Sequence, residues 1–221
     1  MAIPEYEQLS RSIGRRRPSP SRNLPGVEED EAAGEVSELY DYFRSHFERA
    51  DVPGILKCFA THPPLLRHMM ALSESMIFAD GHLTRRHKEM IATFVSSQNE
   101  CPYCADSHGY FLRVHGGSAE ALGAIQKNDL ASSSLTAEEQ ELLRFVQKVN
   151  DDSHEIDKAD VDLLNAAGWS QSQIAEAVHV AALFATFNRV ANAFGLQSQG
   201  LLALFESQGN PVPQDRPGKE R

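Results

Sequence analysis

Cysteine is scarce in this sequence: 221 residues carry three, Cys58, Cys101 and Cys104. A secreted disulfide framework needs more, so the fold must rest on a hydrophobic core. A surplus of positive charge is also missing. Lys and Arg number 21 against 31 Asp and Glu, a formal net charge of -10, which argues against nucleic acid as the main partner. No apolar run is long enough to span a bilayer, and no apolar signal core follows Met1, so the cytoplasm is the expected compartment. Convincing alternating strands are absent throughout. What remains is a chain that is 41% hydrophobic, enough for a real core, with an all-α fold class.

The ends differ from the middle. Residues 1–27 combine Arg11, Arg15, Arg16 and Arg17 with Pro18, Pro20 and Pro25. They show little apolar periodicity and read as a disordered N-terminal tail. Residues 209–221 read as a second tail. Between them, residues 28–208 form one helical domain. Val36, Leu39, Tyr40, Phe43 and Phe47 place a helix over Glu29 to Glu48. Pro63 and Pro64 open another that runs to Phe78. Thr84 is the N-cap of the next, and Pro102 opens a helix that Gly116 and Gly117 end. Ser118 starts a short helix, and Thr136 with Glu139 forms a capping box. Asp157 to Ala167 is helical up to Gly168, Ser170 to Phe194 up to Gly195, and Leu201 to Phe205 marks the last helix. An internal echo superposes Glu176 on Glu89 and Asn188–Ala191 on Cys101–Cys104. A duplicated helical unit and chance similarity of alanine-rich helices account for it equally well.

Four residues carry the chemistry. Cys101 and Cys104 are two residues apart, as in pairs that close a small disulfide. His108 follows one helical turn after Cys104. If Pro102 opens a helix, Cys101, Cys104 and His108 share one face, and the thiols sit at its N-terminus, where the dipole favours thiolate. Glu89, on the preceding helix, completes a proton-transfer set. Zinc held by both thiolates, His108 and Glu89 is a second reading, but such a site is better served by a further pair of soft ligands. A glutaredoxin-type Cys-Pro-Tyr-Cys needs a βαβ setting that this chain lacks. Cys58 lies on an amphipathic stretch and reads as a packed core thiol. Trp169 reads as a core anchor at a helix start. His82, His87, His115 and His179 show no consistent ligand spacing.

The pattern Glu89, eleven residues, Cys101-x-x-Cys104, three residues, His108 resembles the AhpD-like alkylhydroperoxidase family of the carboxymuconolactone decarboxylase superfamily. The similarity covers about Glu29 to Gln208 and is greatest to the branch of uncharacterised peroxidase-related proteins. Phe187 to Gly195 is similar to the asparagine–arginine stretch near the end of such domains. The resemblance implies a helical bundle assembled as a homotrimer or homohexamer, and a thiol-dependent peroxidase acting on organic hydroperoxides or hydrogen peroxide. It implies no bound cofactor and an external dithiol reductant such as a lipoyl-bearing protein. It makes Cys104 the attacking thiolate and Cys101 the proton donor that closes the disulfide. His108 and Glu89 become the relay. Decarboxylase members lack the thiol pair, which disfavours the lactone reaction. Tyr103 stands where the best-known members carry a histidine, a departure that bears on both the relay and the reductant. A general disulfide reductase, a zinc-stabilised helical assembly and a redox-sensing binding protein are the alternative readings.

Overall fold

The computed structural model describes residues 23–207, which form helices joined by short turns. In order these are α1 (Glu35–His46), α2 (Gly54–Phe59), α3 (Pro63–Ser73), α4 (Arg85–Gln98), α5 (Pro102–Val114), α6 (Ala119–Gln126), α7 (Ala137–Asp151), α8 (Lys158–Ala166), α9 (Gln171–Phe194) and α10 (Leu201–Ser207). Among the described residues there is no strand. The expected all-α class is therefore observed.

Capping explains most boundaries. The side chains of Thr84, Ser118, Thr136, Asp157 and Ser170 each accept a backbone N–H in the first turn of the helix that follows. Gly195 ends α9 at φ 75°, a left-handed conformation that costs glycine little. The first helix is shorter than its apolar pattern suggests. It begins at Glu35, and residues before it are held differently: Glu29 takes Arg44 at 2.6 Å and the Val52 N–H at 3.1 Å. A side chain spent on these tertiary contacts lies outside the helix. After α3 the chain makes a π-helical turn, Glu74–Phe78, closed by Ala79 N–H to the Glu74 carbonyl at 2.8 Å. π-turns of this kind are frequent beside functional sites.

The expected N-terminal tail needs correcting at its inner edge. Residues 1–22 lie outside the described residues, as does the expected tail over 209–221. Asn23, however, donates its N–H to the Phe194 carbonyl at 3.0 Å, and Val27 donates to the Lys57 carbonyl at 3.0 Å. The Val27 carbonyl in turn accepts the Tyr40 hydroxyl at 2.8 Å. Backbone pairing of this kind overrides a proline-rich composition.

At the centre lies α4. Met90, Ile91, Ala92, Phe94 and Val95 are wholly buried, and α5, α6, α7 and α9 pack around them. A helix apolar all round belongs in such a position, yet α4 also buries Lys88 and Glu89. Each has found a partner. Lys88 meets Glu176 of α9 at 2.8 Å and the Ala79 carbonyl at 3.0 Å. α9 is long and apolar enough to cross a bilayer by length and composition, contrary to expectation, but half of its most apolar window is buried in this bundle. The internal echo does not extend to layout. Residues 85–114 break into two helices before Pro102, whereas α9 runs unbroken through residues 186–188, which match that break.

Candidate active site

The turn between α4 and α5 places the thiols. Glu100 adopts φ 49°, and its N–H bonds the Ser97 carbonyl at 3.1 Å while the Cys101 N–H bonds the Ser96 carbonyl at 2.9 Å. That is a Schellman closure of α4. Cys101 is thus the second residue past Asn99, the C-cap of α4, and also the N-cap of α5. Pro102, with no N–H to satisfy, fits the first position of the new helix. Cys104 falls at the third helical position, so both sulfurs lie at the positive end of α5.

Both cysteines are reduced and buried, 1% and 3% exposed. The Cys104 thiol donates to the Cys101 sulfur, which also faces the backbone N–H groups of Cys104 and Tyr103 and the Asn188 side chain; together these pull the Cys101 pKa down against the effect of burial. Cys104 is pushed up, because its proton is held against Cys101 and because it is buried. The pair therefore shares its first ionisation, with the charge on Cys101.

Glu89 and His108 meet across the same helix pair. The His108 Nδ1 lies 2.6 Å from Glu89 Oε2, and Arg85 Nε donates to Glu89 Oε1 at 2.6 Å. Burial opposes the charge on Glu89, but His108 and Arg85 more than offset it and hold the carboxyl below its ordinary range. An ionised Glu89 fixes the proton on Nδ1, leaving Nε2 to exchange protons on the other side of the ring. Phe184 packs edge-on against the imidazole at 4.4 Å, and the Arg85 guanidinium sits 4.6 Å from the Phe78 ring centre.

A cavity of about 600 Å³ opens beside this set. Cys104, Ser107 and His108 contribute from α5, and Phe43, Phe47, Phe59, Phe78 and Phe184 supply aromatic wall. His115 is also part of the lining; burial and the nearby Arg85 lower its pKa and keep it neutral. Cys101 does not line the cavity. It lies behind Cys104 in a small cluster with Cys58, Tyr103, Ala191 and Leu196. The structure thus brings Cys104, Cys101, His108 and Glu89 together, but only Cys104 of the thiols meets the open space. Among the described residues no direct hydrogen bond joins His108 to either sulfur, and none of their His, Cys, Asp and Glu side chains form a group of three or more spaced to hold a metal ion.

The profile of the carboxymuconolactone decarboxylase family matches residues 63–148, the segment from α3 through most of α7. Two crystal structures of uncharacterised peroxidase-related proteins superpose on nearly the whole helical body. The one from Ralstonia eutropha JMP134, described as an alkylhydroperoxidase AhpD core, is 25% identical, with a TM-score of 0.72 over 82% of this chain and 94% of that one. The one from Silicibacter sp. TM1040 is 27% identical, with a TM-score of 0.70 over the same shares. The chain carries a carboxymuconolactone decarboxylase family segment within an AhpD-like fold. An uncharacterised protein of the cox locus of Paracoccus denitrificans is 38% identical over 53 residues, so the match spans 47% of that relative's length.

Within this AhpD-like fold several residues escaped the sequence reading. Arg85 stands four residues before Glu89, a spacing at which side chains meet on a helix. Asp106, inside the thiol motif, accepts the Leu201 and Leu202 N–H groups at 3.0 and 3.1 Å and so caps α10. Asn188 reaches the thiols from α9 across 84 residues of sequence or more, a contact that carries no local signal.

Proposed function

We propose that this AhpD-like protein is a thiol-dependent peroxidase that reduces organic hydroperoxides through Cys104 and Cys101. One observation carries the reading: Cys104 lines the cavity with His108, while the more acidic Cys101 lies behind it. The aromatic wall suits an organic hydroperoxide better than hydrogen peroxide, which has no apolar surface to bury.

A water carries the first proton of the thiol pair to His108 Nε2, Glu89 stabilises the imidazolium, and the proton left between the sulfurs passes from Cys104 to Cys101 as Cys104 attacks. The Cys104 thiolate attacks the distal peroxide oxygen. As the O–O bond breaks, Cys101 protonates the departing alkoxide, giving alcohol and a Cys104 sulfenic acid. A lowered pKa suits Cys101 to this donation. The Cys101 thiolate then attacks the Cys104 sulfur, and the expelled hydroxide takes the proton from His108 as water. An external dithiol, such as that of a lipoyl-bearing protein, reduces the disulfide with two electrons.

Cys104→Ser is expected to abolish turnover of cumene hydroperoxide with a dithiol. Cys101→Ser is expected to stop at one equivalent of sulfenic acid on Cys104, detected by dimedone and mass spectrometry. Dimedone on Cys101 in the Cys104→Ser protein reverses the assignment, and full turnover in both variants removes the dithiol from the reaction. Large apolar side chains at Tyr42, Leu65, Leu72 and Phe78 are exposed on one chain. We propose that they are covered in a homotrimer or homohexamer, for which light scattering is expected to give three or six chain masses; a monomer at micromolar concentration refutes it.

A further inference from the structure

Asn188 is wholly buried in the middle of α9, where an unsatisfied amide would be costly. Its side chain is held from two directions. The Asn188 Oδ1 accepts from Asn99 Nδ2 at 3.1 Å, and Asn188 Nδ2 donates to Ser96 Oγ at 3.0 Å. Asn99 is itself fixed. It exchanges two hydrogen bonds with Asn150, at 3.0 and 3.1 Å, and its carbonyl accepts from Asn192 at 3.0 Å. Asn150 then donates to the Asp151 carboxylate at 2.8 Å.

This chain of amides has a direction. A carboxylate only accepts, so Asp151 sets which end of Asn150 is the donor. The reciprocal pair with Asn150 sets the orientation of Asn99. Asn99 presents its NH₂ to the Asn188 oxygen, which turns the Asn188 NH₂ toward α4 and the thiols. One N–H is used by Ser96. The Asn188 side chain also interacts with the sulfurs of both Cys101 and Cys104, and on each the contact favours the thiolate.

From this geometry we infer that Asn188 is an anion-stabilising donor for the Cys101–Cys104 pair, oriented by a relay of side-chain amides that runs through Asn99 and Asn150 to Asp151. A neutral donor fits this place because both sulfurs carry the negative charge in turn during the cycle. A lysine would hold one thiolate too firmly, and a carboxylate would oppose both. The inference rests on the thiol pair being the reacting group, but not on peroxide being its substrate.

The other titratable and charged groups around the pair are Cys58 from α2, Tyr103 and His108 from α5, and Arg85 and Glu89 from α4. The test therefore reads each thiol separately. Iodoacetamide alkylation of the reduced protein is followed across pH 5–10 with peptide-resolved mass spectrometry, and Cys58 serves as the internal control. Asn188→Ala is expected to move the first titration of the Cys101–Cys104 pair up by about 1–2 pH units, the equivalent of one hydrogen bond to a charged group. Alkylation at pH 7 then slows about 10- to 100-fold. A variant that is less stable to urea but keeps the wild-type thiol titration makes Asn188 merely structural and overturns the inference. Should Asn188→Ala fail to fold, the wild-type protein decides. The ¹⁵N-resolved Asn188 side-chain protons are expected to shift with the same midpoint as the thiol pair, and a flat response overturns the inference. Because alkylation needs no peroxide, an Asn188-dependent thiol in a protein without peroxidase activity would defeat the proposed function and leave this inference standing.

Discussion

Replacing Glu89 by Gln alters one atom and should stop proton transfer at another residue. Both Glu89 oxygens accept at 2.6 Å, one from Arg85 Nε and one from His108 Nδ1. Arg85 can only donate, so the glutamine oxygen must turn toward it. The amide NH₂ then faces His108. Nδ1 has to become an acceptor, and the ring proton moves to Nε2. Nε2 is the atom required to take the first proton of the thiol pair, so the prevailing tautomer is the inactive one. Holding the active tautomer against two opposed N–H groups costs about 1–3 kcal/mol, and losing the charge that supports the imidazolium costs about 1.5–3 more. At 1.4 kcal/mol per factor of ten, peroxide reduction should fall by about 10²–10⁴. Stopped-flow mixing with cumene hydroperoxide gives the rate, and ¹⁵N shifts of the His108 ring report the tautomer. A wild-type rate, or a slow variant whose His108 keeps its proton on Nδ1, would refute this reasoning.

Stability should respond to acid in a defined window. Burial opposes charge on both Glu89 and Glu176, but His108 and Arg85 for the first, and Lys88 with the Leu83 and His82 amides for the second, hold each carboxyl below 4.5. Groups of this kind stabilise the fold fully above the unfolded-state value and lose that contribution as pH falls through the folded one. Urea midpoints are expected to change little between pH 7 and about 5 and to drop below about 4.5, with a shallower drop in the Glu89→Gln, Glu176→Gln double variant; equal slopes count against it. Gly81→Ala tests the same acidic cluster by steric means. An added Cβ would overlap Glu176 Oε1, and displacing that carboxylate leaves Lys88, which is 1% exposed, with the Ala79 carbonyl but no counter-charge. Breaking a buried pair costs about 3–5 kcal/mol, so a loss under about 1 kcal/mol in urea denaturation would show that the carboxylate moves aside freely.

Local signals were readable in the sequence and long-range ones were not. Thr84, Ser118, Thr136, Asp157 and Ser170 mark helix starts because a cap is satisfied within three residues, so its partners are neighbours in sequence. Cys101, Cys104 and His108 were legible for the same reason, and Glu89 became so through the spacing of one family pattern. Glu29 was misread because its position suits a helix, while its partners Arg44, Lys57 and Val52 come from elsewhere. Phe43 was recognised only as an apolar helix position, and Phe59 and Phe184 were not singled out. That their packing leaves a void beside Cys104 depends on how α1, α2 and α9 lie against α5. Asn188 sat in a stretch already marked as familiar, yet its role emerges only when α9 crosses the α4–α5 turn.

That turn also has a bearing on which length changes the chain can survive. Each residue of an α-helix advances the side-chain direction by about 100°. Glu89 faces His108 because a fixed number of residues separates it from Cys101 and because the Schellman closure at Glu100 allows no slack. One insertion or deletion there would rotate the carboxylate away from the imidazole while leaving every apolar contact type in the sequence unchanged. The loop between α6 and α7 holds none of these four residues and has no such duty. The α4–α5 junction works as a phase lock, and the eleven residues between Glu89 and Cys101 are a count on which the site depends.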